Sequence, residues 1–463
     1  MPATPLGPQS RLDRLAGQLG IAIVLASILG GLSFLLRHIG LIDPAGYAAD
    51  LARFCHPPLQ TLWLPASCRA WSWLDGAGGA ITRLDMARLY QISPPELLLK
   101  LLRHGLMAGL VLISGLVVWR HPALRLPPRQ LLLWVPLQLS LGVALWIGLQ
   151  RGPLPAVLAG LPGQLWVPLV PLCGWLLPRR RLQRLVDAVA ALLLLHLPVL
   201  VLEAMRGLPL RHATRLWGVP LPGRLPGLMG QPNTLGVVVV LGLAFCLAFS
   251  ARAWHRPVLV AAALPQLLLA RSGMGLLALA LLLLWPSLQR QWQRHPRRAL
   301  LLAPVLAAAL LLVLPHLLGR PDLLESISGR WGMVGSAVRS ATPWQLLLGR
   351  GLGSGGVVVS RWQEVSSGLP PLFSPLTLPS EAAAGPALWP TDSFFLHQFI
   401  EAGLLGLAAL LGLIAAALRR DRASRPFLLL VLLCGLSLNL GEVFPLGLLL
   451  AVSLCHALAP GHG

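Results

Sequence analysis

The chain has 463 residues, is 56% hydrophobic and only 11% charged, and carries a formal net charge of +21. Many apolar runs approach twenty residues, which excludes a soluble globular domain and predicts an all-α, polytopic membrane helix bundle. The positive charge does not point to nucleic acid, because the basic residues sit in short loops between apolar runs, where membrane lipids are the partners. Lys100 is the only lysine, so the arginines partly reflect a compositional bias.

Hydropathy predicts about twelve transmembrane helices, roughly 16–36, 97–119, 130–149, 155–177, 183–203, 233–252, 256–270, 273–288, 299–318, 394–418, 426–440 and 444–459. The first apolar run has no small-residue cleavage site after it and reads as a retained span. The pair 256–270 and 273–288 is short enough to form a tight hairpin. Proline inside several spans (Pro136, Pro168, Pro198, Pro304) suits membrane helices, where neighbours satisfy the freed carbonyl.

Short loops set the orientation. Arg11 and Arg14 precede the first span, and alternate loops carry Arg120, Arg125 and Arg129, then Arg179 to Arg181 and Arg184, Arg252 and Arg256, Arg290 to Arg298, and Arg419 to Arg425. Loops of the other parity hold only Arg151 and Arg271, and around Gly441 no base at all. This pattern places both termini in the cytoplasm. Three long loops then face outward: 37–96, which carries Trp63, Trp71 and Trp73, then 204–232 and 319–393. Cys55 and Cys68 share the first, and whether they pair depends on the side it faces. The other four cysteines lie in apolar runs and read as core residues, and no Cys/His cluster has metal-ligand spacing.

Candidate functional residues gather in the outer loops. Arg224 opens the run Arg-Leu-Pro-Gly-Leu-Met-Gly-Gln-Pro-Asn-Thr-Leu-Gly, where Asn233 is either a helix cap or a substrate contact. Arg271 sits at the tip of the short hairpin and reaches either lipid headgroups or an anionic substrate. The large outward-facing loop, 319–393, starts with an amphipathic helix over 325–342, with Ile327, Trp331, Val334, Val338 and Ala341 on one face. Arg330 lies beside that stripe and Arg339 on the opposite side. The following Gly351-Leu352-Gly353-Ser354-Gly355-Gly356 matches a dinucleotide-binding spacing, but no parallel sheet surrounds it, and it reads as a backbone turn packed over a helix mouth. Asp392 then starts the span 394–418 as either a cap or a functional carboxylate. His397 and Glu401 are four residues apart, on one helix face, where each can neutralise the other. Glu401 lies about 13 Å further along the axis than Asp392.

In this order the motifs resemble the O-antigen ligase and polymerase superfamily of bacterial envelope glycosyltransferases, over residues 220–418. The resemblance rests on Arg224 to Asn233 before a span, an arginine at a hairpin tip (Arg271), then Arg330, Pro343 and Gly351-Leu352-Gly353 in the large loop. The ligase signature closes with a histidine, a polar residue, nine residues and Gly-x-x-Gly. Here it reads Asp392-Ser393, nine residues, Gly403-Leu404-Leu405-Gly406. An aspartate stands where ligases carry the histidine proposed to be catalytic, which favours a polymerase or another glycan-transferring member over a ligase acting on a lipid A core.

The resemblance implies a glycan donor linked to polyprenyl (undecaprenyl) diphosphate and a glycan or lipid acceptor, in surface polysaccharide biosynthesis at the outer face of a bacterial inner membrane. It also implies Asp392, Arg330 and Arg271 as catalytic residues, with Arg224, Asn233, Arg339, His397 and Glu401 in substrate binding. The chemistry is coherent without metal or cofactor. A diphosphate leaving group needs charge stabilisation, which arginines supply, and one base suffices for the acceptor hydroxyl. Residues 1–232 form an N-terminal helical region and 233–463 the ligase/polymerase-like region. An ion-coupled transporter of a small anionic solute is the competing reading, motivated by intramembrane His397 and Glu401 and the proline-interrupted spans.

Overall fold

In the computed structural model the described residues are 8–38, 94–152, 154–206, 225, 227–229, 231–294, 332, 334–355 and 393–459. Among them the chain is helical, with no strand. In chain order the helices are α1 (Pro8–His38), α2 (Pro94–Arg120), α3 (Pro128–Arg151), α4 (Leu154–Gly160), α5 (Trp166–Leu172), α6 (Arg179–Arg206), α7 (Pro232–Phe249), α8 (His255–Leu269), α9 (Gly273–Arg294), α10 (Pro343–Leu348), α11 (Phe394–Arg420), α12 (Arg425–Gly435) and α13 (Leu446–Leu458). Short 3-10 turns join α4 to α5 (Leu161–Gln164) and α12 to α13 (Leu440–Glu442).

Seven of these stretches are long and apolar enough to cross a membrane, and α8, α9, α12 and α13 are shorter apolar helices. All but α1, which starts eight residues before its expected span, begin within about four residues of one. The expected span 299–318 and Cys55 and Cys68 of the first outer loop lie outside the described residues. One expected span, 155–177, is not a single helix. Between α4 and α5 the run Gly160-Leu161-Pro162-Gly163-Gln164 loosens into a 3-10 turn, because proline and glycine both disfavour continued α-helix.

α7 is the central helix. Thirteen of its residues from Thr234 to Cys246 are buried in succession, and it packs on α6, α8, α9 and α12. α1 lies against α2 and α6, and α11 runs between α3, α12 and α13. Outward-facing residues of α2 and α3, such as Leu112, Trp119, Leu132 and Trp146, are more than half exposed, as a lipid-facing surface requires.

The arginine-bearing helix ends share one end of this bundle. Arg181, at the start of α6, bonds Asp13 of α1 at 2.8 Å and the carbonyl of Trp175. Asp187, nearly two turns further on, pairs with Arg252 beyond the end of α7. Phe249 of α7 touches the His456 ring near the end of α13, and His456 Nδ1 lies 2.9 Å from Asp421, which closes α11. Arginine also folds back onto exhausted helix ends. Arg125 donates to the carbonyls of Val118 and Trp119, and Arg425 to those of Leu418 and Arg419. These carbonyls have no partner in their own helices, and a cation there also complements the helix dipole.

α11 is interrupted. Gly403 has φ 68 and ψ −168, so the helix breaks about 15 Å from its start at 1.5 Å per residue. The segment 349–353 fills the break. Arg350 N–H donates to the Ile400 carbonyl at 2.7 Å, Gly351 N–H to the Glu401 carbonyl at 3.1 Å, and Leu352 N–H to the Ala144 carbonyl of α3 at 2.7 Å. The glycine-rich turn is therefore wedged between α11 and α3 at the break, and not laid over the helix mouth. α10 holds its near end, with a capping box in which Thr342 and Gln345 bond each other's backbone.

Two stability tests follow. Gly351 has φ +100 and an added Cβ would meet Gly148 N at 2.5 Å, backbone against backbone. Gly351→Ala should cost about 2–4 kcal/mol, combining left-handed strain with overpacking, whereas Gly412→Ala, in open space on α11, should leave thermal stability in detergent unchanged. At the basic end, burial pushes the Asp421 carboxyl up, but bonds from His456, Ser424 and the Ala423 N–H outweigh it and hold it at about 2. Because the folded value lies below the unfolded one, this stabilisation is present at neutral pH and disappears as pH falls from 3.8 toward about 2. Asp421→Asn should lower stability by about 1–3 kcal/mol at pH 7, with the gap closing across that acid range in denaturation curves.

Candidate active site

Two groups of predicted residues assemble at the end of the bundle opposite the basic helix ends. The first joins the segment before α7 to the α8–α9 hairpin. Leu225, beside Arg224, donates its N–H to the Leu269 carbonyl at 3.1 Å, and Gly236 of α7 is in tight contact with Ser272. Two motifs more than thirty residues apart are thus neighbours. Arg224 itself lies outside the described residues. Asn233 is half-buried in the first turn of α7, and the cap position belongs to Gln231, whose side chain accepts from Thr234 Oγ1 at 2.8 Å. Capping therefore does not account for Asn233.

The hairpin tip has a defined geometry. Ser272 N–H bonds the Leu267 carbonyl and Arg271 N–H bonds that of Leu268, the paired 6→1 and 5→2 bonds of a Schellman ending. The left-handed residue of that motif is usually glycine. Here it is Arg271, φ 44, the one non-glycine residue with positive φ among those described. Ser272 then caps α9 by accepting from Gly275 N–H at 3.2 Å.

The second group surrounds the break in α11. His397 and Glu401 do come together: Nε2 stands 3.1 Å from Oε2, both side chains being almost fully buried. Glu401 is tied into the scaffold, its Oε1 accepting from Gly353 N–H at 2.8 Å and its Oε2 from Gln164 Nε2 at 3.1 Å. Gln164 also donates to Gln398 Oε1 at 3.3 Å. His397 Nδ1 has no hydrogen-bond partner among the described residues. α12 packs on both α7 and α11, so it stands between the two groups.

Residues 334–339 are helical, as expected for the end of the amphipathic helix. The residue that seals them onto α11 is Ala337, packed with Leu396 and Ile400, with Val334 beside it. Val338 of the expected stripe is 42% exposed, a rotation of one position. Arg339 is exposed, while Arg330 lies outside the described residues. Asp392 does too, but the N-cap of α11 is Ser393, whose Oγ accepts from Leu396 N–H and donates to the Gly435 carbonyl. The cap that sequence left open for Asp392 is occupied one residue later.

Sequence reasoning missed Gln164, Gln398 and the structural use of Gly353. The signal was present in Gly160-Leu161-Pro162-Gly163-Gln164, an amide placed directly after a helix-breaking run inside an apolar stretch. No group of metal-ligating side chains occurs among the described residues.

No protein-family model and no curated protein matches the chain. Fold and composition together define a helical, membrane-embedded protein.

Removing the Glu401 carboxylate strands two buried N–H groups, that of Gly353 and one of the two on Gln164 Nε2, the other keeping Gln398 Oε1. Glu401→Ala should therefore cost about 2–6 kcal/mol, at about 1–3 kcal/mol per orphaned group. Glu401→Gln, which keeps an acceptor for Gly353, should cost less than half of that in detergent thermal denaturation.

Proposed function

We propose that the chain is a metal-independent membrane glycosyltransferase of the O-antigen polymerase or ligase type. It moves glycan from a polyprenyl-diphosphate carrier to a glycan or lipid acceptor at the outer face of a bacterial inner membrane. The observation that carries this reading is Arg271. An arginine in the left-handed position costs about 1 kcal/mol relative to glycine, and it stands beside the Arg224–Asn233 segment. Arginines there would hold the diphosphate by bidentate hydrogen bonds and stabilise it as it leaves. In this reading the chain spans the membrane twelve times with both termini cytoplasmic, and Asp392 takes the acceptor proton.

A second reading, ion-coupled transport, draws on the interruptions between α4 and α5 and at Gly403, since broken helices form ion sites in transporters. The α11 break is ill-suited to that use. Its Ile400 and Glu401 carbonyls already accept from Arg350 and Gly351, leaving them poorly placed to hold an ion.

The decisive assay supplies purified protein with a lipid-linked repeat unit, with and without a separate acceptor. Arg271→Gly restores the usual residue of the turn, so it should match or exceed the parent's thermal stability by up to about 1 kcal/mol while losing transfer. Arg271→Lys should retain part of it, because a point charge loses the guanidinium fork. Asp392→Asn leaves the Ser393 cap untouched and should slow transfer by about 100-fold or more, the usual contribution of a general base. Parent-rate transfer by Arg271→Gly would sink the assignment of that arginine. Solute uptake into proteoliposomes without any transfer would establish the transporter.

A further inference from the structure

None of the six residues of α10 is buried, yet four of them are tryptophan or leucine. Trp344 is 71% exposed, and Leu347, three residues on and so on the same face, is 39% exposed. A helix this short has no stability of its own in water. Its polar ends are closed by its own neighbours, since Thr342 and Gln345 bond each other's backbone and Gly349 N–H bonds the Gln345 carbonyl at 2.9 Å. Its backbone is pressed into the bundle. The Leu347 carbonyl stands where a Cβ on Gly403 would be, and α10 packs on α11 and α3. The protein therefore holds the main chain of α10 and leaves Trp344 and Leu347 uncovered.

The wedge fixes the level of that uncovered face. Gly351 and Leu352 meet α3 at Gly148 and Ala144, and Leu347 meets α11 at Gly403. Trp146 of α3 and Leu404 and Leu405 of α11, each at least half exposed, stand at the same level. Trp146 follows Arg129 by about 26 Å of helix, and Leu404 precedes Arg419 by about 22 Å. A hydrocarbon core is about 30 Å thick. With the arginines at one boundary, this belt lies near the other, where tryptophan concentrates because its ring is apolar and its N–H polar.

We infer that α10 is an interfacial helix whose Trp344–Leu347 face is seated in bilayer lipid beside α3 and α11. The large loop then dips back to the membrane surface, and the segment bearing the glycine wedge is anchored to lipid as well as to the break at Gly403. Lipid suits this face better than a soluble partner does. It stands level with the lipid-facing side of α3, and α10 carries no charge with which to select a partner. The inference holds whether or not the protein transfers glycan.

The test uses full-length protein in phosphatidylethanolamine–phosphatidylglycerol nanodiscs, in a Cys55→Ser, Cys68→Ser background. The remaining cysteines, at 173, 246, 434 and 455, are buried. Trp344→Cys and Leu347→Cys each carry a nitroxide label, with Leu139→Cys on the exposed side of α3 as the lipid standard and Arg422→Cys, exposed between α11 and α12, as the water standard. Nothing in the bundle covers either side chain of α10, so both variants should denature at the parent temperature. Dissolved oxygen concentrates in lipid and a nickel–EDDA chelate in water. In power-saturation spectra the oxygen-to-nickel ratio at 344 and 347 should exceed that at 422 several-fold and approach that at 139. A ratio at 344 and 347 equal to that at 422 puts the helix in water and overturns the inference. Poor access for both reagents puts it under protein and overturns the inference equally. A lipid-like ratio at one position with a water-like ratio at the other also overturns it, because the two share a face.

Discussion

A peptide group inside a bilayer must find its partner within the protein, and the break at Gly403 is where that requirement organises the fold. Once α11 departs from helical geometry there, the carbonyls of Ile400 and Glu401 lose the donors that a continuous helix would bring. Arg350 and Gly351 provide them from a segment distant in sequence. That segment must approach as bare backbone, which is why Gly351 faces Gly148 across a gap too small for a Cβ. Glu401 completes the joint by holding Gly353 with one oxygen and Gln164 with the other. One buried carboxylate thus ties together α11, the inserted segment and the α4–α5 break.

The consequence is a bundle with two unlike ends. At one, arginines pair with Asp13 and Asp187 or fold back onto finished helices at Val118 and Leu418, so charge is spent on closing the structure. At the other, amides, a histidine and a carboxylate are buried around irregular backbone, and several of their atoms have no hydrogen-bond partner among the described residues. Polarity that closes nothing in the scaffold is the polarity available to a ligand. The same contrast separates Glu401, whose oxygens are both engaged, from His397, whose Nδ1 is not.

Much of the helix layout was legible because hydropathy reports burial in lipid directly: α2, α3 and α6 start within a few residues of the expected spans. The hairpin of α8 and α9 was legible too, from two short apolar runs meeting at Arg271. What hydropathy does not encode is backbone continuity. Residues 394–418 read as one helix because Gly403 is tolerated in membrane helices, and only the inserted partner makes a break there favourable. Caps stayed open for a related reason. Asp392 and Ser393 are both good caps, and the choice depends on tertiary partners such as the Gly435 carbonyl, to which Ser393 Oγ donates. The one-position error between Val338 and Ala337 reflects how weakly a short helix rich in glycine and serine declares its buried face.

Arg271 shows how such a geometric detail bears on function. An arginine whose task was to reach lipid headgroups would serve at most positions near a helix end, since its long side chain adapts to the interface. The left-handed position of a Schellman ending is the one place in the hairpin where any side chain is disfavoured and glycine is favoured. Ala270 on one side is fully buried and Ser272 on the other caps α9, so neither neighbour can give up its place to a long cation. The turn accepts a strained residue at its tip, next to Leu225 and the start of α7. Under the proposed reading, strain kept at a fixed point beside a second arginine-bearing segment suits an anion site, and a lipid anchor would not require it.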